Sequence, residues 1–301
     1  MGYHRPVLLD ESIGGLDISP KGTYVDLTFG GGGHSREVLK MLGRNGRLIA
    51  FDQDRDARRN LPDDRRITFV EANYRFLRRF LRYFGVNLVD GILADLGISS
   101  HQIDQPDRGF SFRTESLLDM RMDRRNPQTA AMVLNKYPAV ELARIFRNYG
   151  ELSRPDRLAK AVEKAREEHP LETTGDLEKA LQDLIPRAQP SKFLARVYQS
   201  IRIEVNRELE SLEKMLPQTA DCLREGGRLV IITYHSLEDR IVKNFMRSGN
   251  LEGAIQKDFY GNPQSPWRLV NRSVITPSRE EMEENKRARS AKLRIAEKIG
   301  S

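Results

Sequence analysis

The 301-residue chain contains one cysteine, Cys222, one tryptophan, and only 7% aromatic residues. A single thiol excludes an intramolecular disulfide and any multi-cysteine zinc site, and it fits a reducing compartment, with the cytoplasm as the default. No stretch reaches the roughly 18 apolar residues that a membrane span needs. The opening MGYHRPVLLDES lacks the charged-then-apolar order of a secretory signal. Its Met-Gly start would suit myristoylation, but Pro6 stands where that motif wants Ser or Thr. Internal repeats and low-complexity tracts are also missing. What is left is a basic globular chain with a net charge of +7, a pI near 9.5 and 39% hydrophobic residues. A surplus of Lys and Arg raises the local potential that attracts phosphates, which points to a nucleic acid; solubility is the plainer reading of the same surplus.

Four short apolar runs lie in the first ninety-odd residues: TYVDLTF (23–29), RLIAFD (47–52), ITFVEA (67–72) and DGILADLG (90–97). Separated by amphipathic stretches, they predict a parallel α/β sheet. HSREVLKMLGRNG, with Val38, Leu39 and Leu42 at helical spacing, makes the opening unit βαβ. The next strand, RLVIITYHS from Arg228, comes about 130 residues after Asp95, whereas one such step takes ~30. The spacing therefore predicts an insertion, and the helical periodicity of AAMVLNKYPAVELARIFRNYG and RLAKAVEKAREE makes it an all-helical domain over 106–190. Residues 1–105 and 191–301 then form one discontinuous domain. A long helix broken near Pro217 is expected to lead back to the sheet, and the basic tail NKRARSAKLRIAEKIGS is expected to be helical in part.

VDLTFGGGGHS ends a strand at Asp26 and follows it with Gly30 to Gly33 before a helix, so backbone can approach a ligand closely there. Asp52 ends the next strand 26 positions later, where a carboxylate can accept from both ribose hydroxyls. Together these indicate an adenosine-type nucleoside. The run is not G-x-G-x-x-G, because Ser35 or Arg36 falls at the third glycine, so a dinucleotide fits less well. The cofactor S-adenosylmethionine needs no pyrophosphate site, only mixed partners such as Asp26 and loop amides for its ammonium and carboxylate. Tyr74, after the third strand, is an adenine wall or a core aromatic.

Ligands in such sheets bind beyond the carboxyl ends of the strands, which places Asp95 of DLGISSHQ in the pocket. There it can accept hydrogen bonds from an amino group and orient it for attack on a sulfonium methyl. A turn-capping Asp is the structural alternative, and Ser99 and Ser100 are equally good caps. Gln102 binds the cofactor or decorates a turn. His235, in YHSLEDR, stands at the fifth strand's end as a proton acceptor or a structural residue. Methylation at cytosine carbon 5 would need a cysteine nucleophile, and Cys222 sits in a helical stretch away from that strand end.

DLTFGGGGHS, FDQD, DGILADLGISSHQ, RGFSF, LDMRMD, HSLEDRIVK and NKRARSAKLR span nearly the whole chain. Together they resemble the ribosomal small subunit methyltransferase H family, also called MraW. The resemblance implies a class I, Rossmann-like methyltransferase fold carrying a helical insertion that recognises RNA. It also implies transfer of methyl from S-adenosylmethionine to N4 of a cytosine in the P-site region of 16S rRNA, cytosine 1402 in the family, within the small ribosomal subunit. The cofactor contacts it implies are Gly32, Gly33, His34, Asp52, Tyr74, Asp95 and Gln102. Family members commonly carry Phe at the place of Tyr74 and Pro at that of Lys286. Asp95 is followed by Leu96-Gly97-Ile98 and not by Pro-Pro-aromatic, so the aromatic that stacks on the base must come from elsewhere. Phe110 and Phe112 are candidates, or core residues. Arg108, Arg113, Arg121 and Arg124 would position phosphates, or form a solvated face. No metal is called for, and a homodimer stays open. Two other functions fit parts of the pattern: a Rossmann oxidoreductase, and a non-catalytic ribosome-assembly factor that keeps the fold only to bind RNA.

Overall fold

A computed structural model describes residues 5–261, 263–271 and 273–300. The Met-Gly start lies outside the described residues. From the N-terminus, helix α1 (Leu9–Leu16) is followed by strand β1 (Thr23–Asp26), α2 (Gly33–Met41), β2 (Arg47–Asp52), β3 (Ile67–Glu71), α3 (Leu77–Tyr83) and β4 (Val89–Asp95). The apolar runs form strands because both faces of a parallel sheet are covered, so no polar side chain has to be accommodated mid-strand. Leu48, Ile49, Ala50, Phe51, Ile92, Leu93 and Ala94 are all essentially inaccessible to solvent. Each fully buried large side chain contributes about 1.5–3 kcal/mol.

Next comes α4 (Ser100–Asp104), then α5 (Ala130–Lys136), α6 (Ala139–Asn148), α7 (Pro155–Glu168), α8 (Thr174–Leu181) and α9 (Pro190–Asn206). These helices belong to a compact unit of residues 98–208 with a core of its own, centred on Val133, Leu134, Ile145, Phe146, Val162, Leu177, Val197 and Ile201. The unit runs over 98–208, where the sequence pattern predicts 106–190. Tyr198, Ile201 and Val205 of α9 are spaced along one helix face and bury into this core, which draws the whole of α9 into the unit. The long helix foreseen after it is two helices. Arg207 adopts φ 49, a left-handed conformation that ends α9, and α10 (Glu208–Cys222) then runs through Pro217 without ending there. Leu212, Met215 and Leu216 are fully buried in the core of the first compact unit, formed by the described residues up to 97 and from 209 on, and hold α10 across the lost amide.

The chain continues with β5 (Leu223–Thr233), α11 (Ser236–Ser248), a small hairpin of β6 (Gln256–Lys257) and β7 (Pro263–Gln264), β8 (Trp267–Leu269), α12 (Arg279–Glu284) and β9 (Lys292–Lys298). The seven-stranded sheet runs β3-β2-β1-β4-β5-β9-β8. The first five strands are parallel, while β9 is antiparallel to both its neighbours. The tail is helical only in the short 3₁₀ turn Lys286–Ser290, and it continues as the strand β9. In KLRIAEK, Leu293 and Ile295 are buried while Lys292 and Arg294 alternate with them, the period of two that a sheet requires. Strand order reverses on either side of β1, which makes the carboxyl ends of β1 and β4 the topological switch point.

Candidate active site

Asp26 and Asp95 end the two strands that flank the switch point, Asp52 ends the next strand along, and β5 ends at Thr233. The loop after β1 is tied to both neighbouring strands. Leu27 donates its N–H to the carbonyl of Leu93 at 2.8 Å, Phe29 donates to Phe51 at 2.8 Å, and the Asp95 N–H donates to the Thr28 hydroxyl at 2.6 Å. Asp26 is buried and internally satisfied, accepting from the Ser35 hydroxyl at 2.6 Å and from the Thr28 N–H at 3.1 Å. It locks the loop to the start of α2, and burial raises its carboxyl above the usual range.

The glycines of the loop are required by the protein itself. Gly30 and Gly32 have φ of 51 and 75, a region costly for any residue with a Cβ. A methyl group at Gly33 would lie 2.2 Å from Pro6 Cγ, and one at Gly32 would lie 2.7 Å from the ring of Phe29. The loop is buttressed from below: Asn60 Nδ2 donates to the Gly30 carbonyl at 3.0 Å, and the Arg36 guanidinium donates to the Gly31 and Asn60 carbonyls, both at 2.7 Å. Asp52 accepts from the N–H groups of Gly30 at 2.7 Å and Asp54 at 2.8 Å. Desolvation nevertheless pushes its carboxyl up to about 7, with the backbone hydrogen bonds acting against that rise. Each carboxylate oxygen accepts more than one hydrogen bond, so half-buried Asp52 keeps capacity for a ligand's hydroxyls.

Asp95 has two differently placed oxygens. Oδ1 accepts from the Tyr234 hydroxyl at 2.7 Å, and Oδ2 lies 4.0 Å from His34 Nδ1. Desolvation pushes the Asp95 carboxyl up to about 7, with the Tyr234 hydrogen bond opposing it. His34 is buried, with Nε2 3.2 Å from the Val7 carbonyl, and burial depresses the ring to about 4. It is therefore neutral near pH 7. The Val7 carbonyl can only accept, so Nε2 carries the hydrogen and Nδ1 presents a lone pair.

His235 is the N-cap of α11. Its Nδ1 accepts from the Glu238 N–H at 3.4 Å, its own N–H donates to Glu238 Oε1 at 3.1 Å, and Nε2 lies 3.0 Å from Glu238 Oε2. The side chain that reaches Asp95 from the end of β5 is its neighbour Tyr234, which inspection of the sequence passed over. Tyr74 is half-buried just beyond β3 and packs against the sheet core. Cys222 is buried and its thiol is pushed up to about 11 by desolvation, which keeps it protonated and poorly nucleophilic.

Gln102 belongs to the second unit, where it is buried and forms a capping box with Ser99: Gln102 N–H donates to Ser99 Oγ at 3.2 Å, and Ser99 N–H donates to Gln102 Oε1 at 3.1 Å. Phe110 and Phe112 in the same unit are both core residues, Phe112 meeting the ring of Tyr198 edge-on at 5.5 Å. The arginines there are mostly engaged. Arg108 is 1% exposed and donates to the Arg121 and Met122 carbonyls, Arg121 pairs with Asp119 at 2.7 Å, and Arg124 pairs with Asp107 at 2.7 Å. Arg113 is exposed with no ion-pair partner among the described residues.

The sheet is doubly wound, with an antiparallel strand beyond the fifth and acidic residues at the ends of β1, β2 and β4. The family model described as "MraW methylase family" matches residues 1–299, and the chain belongs to that family. It is an S-adenosylmethionine-dependent methyltransferase. It is 57% identical to the ribosomal RNA small subunit methyltransferase H of Parabacteroides distasonis, over 99% of this chain and 98% of that one. It is 51% identical to the protein of that name from Flavobacterium johnsoniae, over 99% of both. Among solved structures, an rRNA methylase from Streptococcus thermophilus superposes with a TM-score of 0.43 at 10% identity, covering 99% of this chain and 100% of that one.

The residues present fit the cofactor's chemistry. Asp52 suits ribose hydroxyls, and Asp95 Oδ2 accepts from no donor among the described residues of its own unit. At Gly97, with φ 99, an added methyl group would meet only the Tyr234 ring, at 3.6 Å, so the backbone beside Asp95 is open. Among the described residues no helix is long and apolar enough to cross a membrane, and no His, Cys, Asp or Glu cluster could hold a metal.

Proposed function

We propose that this chain methylates the N4 amino group of a cytosine in 16S rRNA of the small ribosomal subunit, the family target being cytosine 1402. The observation that carries this reading is Asp95 at the switch point, held through Oδ1 and through its own N–H, with Oδ2 left as an acceptor. The names of the relatives support an rRNA substrate. When bound, S-adenosylmethionine supplies a sulfonium methyl whose leaving group departs neutral, so alignment of donor and acceptor provides much of the rate. Asp95 Oδ2 accepts one N–H of the amine and turns the nitrogen lone pair toward the methyl carbon. Its carboxyl, shifted toward neutrality, can then take the proton that the methylated nitrogen sheds.

Asp52, the loop of Gly32, Gly33 and His34, and Tyr74 hold the cofactor, and Asp26 acts on it through the loop it locks. His235 acts in this reading by fixing the first turn of α11. The unit of residues 98–208 recognises RNA, with exposed Arg113 as one phosphate contact.

The test is transfer of labelled methyl from S-adenosylmethionine to small subunits isolated from a strain lacking the enzyme, followed by nucleoside analysis. Label in N4-methylcytidine is expected, and its appearance in any other nucleoside would overturn the assignment of the acceptor atom. Asp95→Ala should lower turnover by at least about 100-fold, the scale at which proton and orientation roles operate, while RNA binding persists. Retained turnover would remove Asp95 from the reaction.

A further inference from the structure

We propose that Tyr234 is a positioning residue that fixes which oxygen of Asp95 faces the substrate amine and sets the pH at which that oxygen is ionised. The proposal rests on the reading of Asp95 given above. Tyr234 directly follows β5, and its hydroxyl spans to the end of β4 to donate to Asp95 Oδ1 at 2.7 Å. Its own ionisation is held far above the usual range, first by burial and then by the Asp95, Glu238 and Glu281 charges, so it stays a hydrogen-bond donor throughout the working pH range.

With Oδ1 occupied, rotation of the carboxyl group is arrested and Oδ2 is presented. The second neighbour of Oδ2 cannot compete for it: His34 turns a bare Nδ1 lone pair toward it from 4.0 Å, because the ring's hydrogen is committed to the Val7 carbonyl. The charged groups around Asp95 are otherwise acidic, with Asp26 at the end of β1 and Glu238 on α11, both of which favour its protonated form. Among the described residues, Tyr234 is the one side-chain donor that opposes them. Removing the hydroxyl must therefore raise the pH at which Asp95 gives up its proton, and the removal leaves the ring and its packing in place. The neighbouring His235, held by Glu238, has no part in this.

The test is the pH dependence of methyl transfer by Tyr234→Phe, alongside carbon-13 NMR titration of labelled aspartate carboxyls in the unliganded protein, with the Asp95 signal assigned by its loss in Asp95→Asn. The variant's acid limb and its Asp95 titration should both move up by about one pH unit, the size expected from losing one hydrogen bond to a carboxylate. The plateau rate at high pH should stay below the parent's, because Oδ2 is no longer held in place, and in an Asp95→Asn background the tyrosine substitution should shift nothing further. An unmoved Asp95 titration in a folded Tyr234→Phe protein would overturn the proposal. So would a uniform drop in rate with an unmoved limb, since that is what loss of packing alone produces. If the parent transfers no methyl at any pH, the proposed function fails, while the NMR titration still decides the role of Tyr234.

Discussion

Asp95 carries an internal cost that can be measured without substrate. Its folded value near 7 lies above the ordinary 3.8, so the folded state holds a proton there that the unfolded state has released. The stability this contributes is fully present below pH 3.8 and is lost as pH rises through 7. Asp95→Asn removes that dependence while keeping an oxygen for Tyr234. Between pH 5 and pH 8 the variant should therefore gain on the parent by about 2 kcal/mol, read by urea unfolding at the two values; a constant difference would mean that Asp95 titrates normally. Gly33 gives a second prediction at this scale. A methyl group there would meet Pro6 at 2.2 Å, so Gly33→Ala should lower the Tm by several degrees, on the scale of about 1–3 kcal/mol for overpacking. Pro6→Ala should restore part of the loss, and an additive double variant would show that the clash is absent.

At the scale of elements, the basic tail acts first as part of the sheet. Arg294 and Lys292 of β9 reach Asp239 on α11 at 2.8 and 3.2 Å, and Glu297 pairs with Arg228 at 3.0 Å. Truncation after Asn285 removes the strand paired with β5 and buries nothing in exchange. The truncated chain should fail to give a cooperative thermal transition, and deletion therefore cannot isolate an RNA-binding role of the tail. The arginines of the insertion separate in the same way. Arg108→Ala should destabilise the 98–208 unit by leaving the carbonyls of Arg121 and Met122 without their donor, whereas Arg113→Ala should weaken subunit binding with little change in Tm. Equal effects of the two on Tm would overturn that division.

For the whole molecule, the net charge of +7 and the proposed RNA substrate together predict affinity that falls steeply with ionic strength, because each phosphate neutralised releases a counterion. Filter binding to small subunits between 50 and 200 mM salt should show a drop of at least about tenfold; a flat response would assign recognition to uncharged contacts. The two compact units each have a hydrophobic core, so a calorimetric scan resolving two transitions would show that the cores unfold separately.

The strands of the first ninety-odd residues, the acidic residues at their ends and the helical insertion are legible in the sequence, because apolar period and strand-end chemistry are local properties. Membership of the methylase family was legible too, since its motifs are spread over nearly the whole chain. Tertiary structure decided what depends on partners distant in the chain. KLRIAEK, rich in charge, is not set apart as a strand within the basic tail until β5 supplies its hydrogen bonds and Asp239 its counter-charge. Asp26 and the loop glycines read as ligand contacts from the sequence, and the fold adds that Ser35, Phe29 and Pro6 also constrain them. Tyr234, 139 positions from Asp95, could be recognised only when the switch point brought the two strand ends side by side. A period of two or 3.6 says which face is buried; which residue waits on the other side is decided by the order of strands in the sheet.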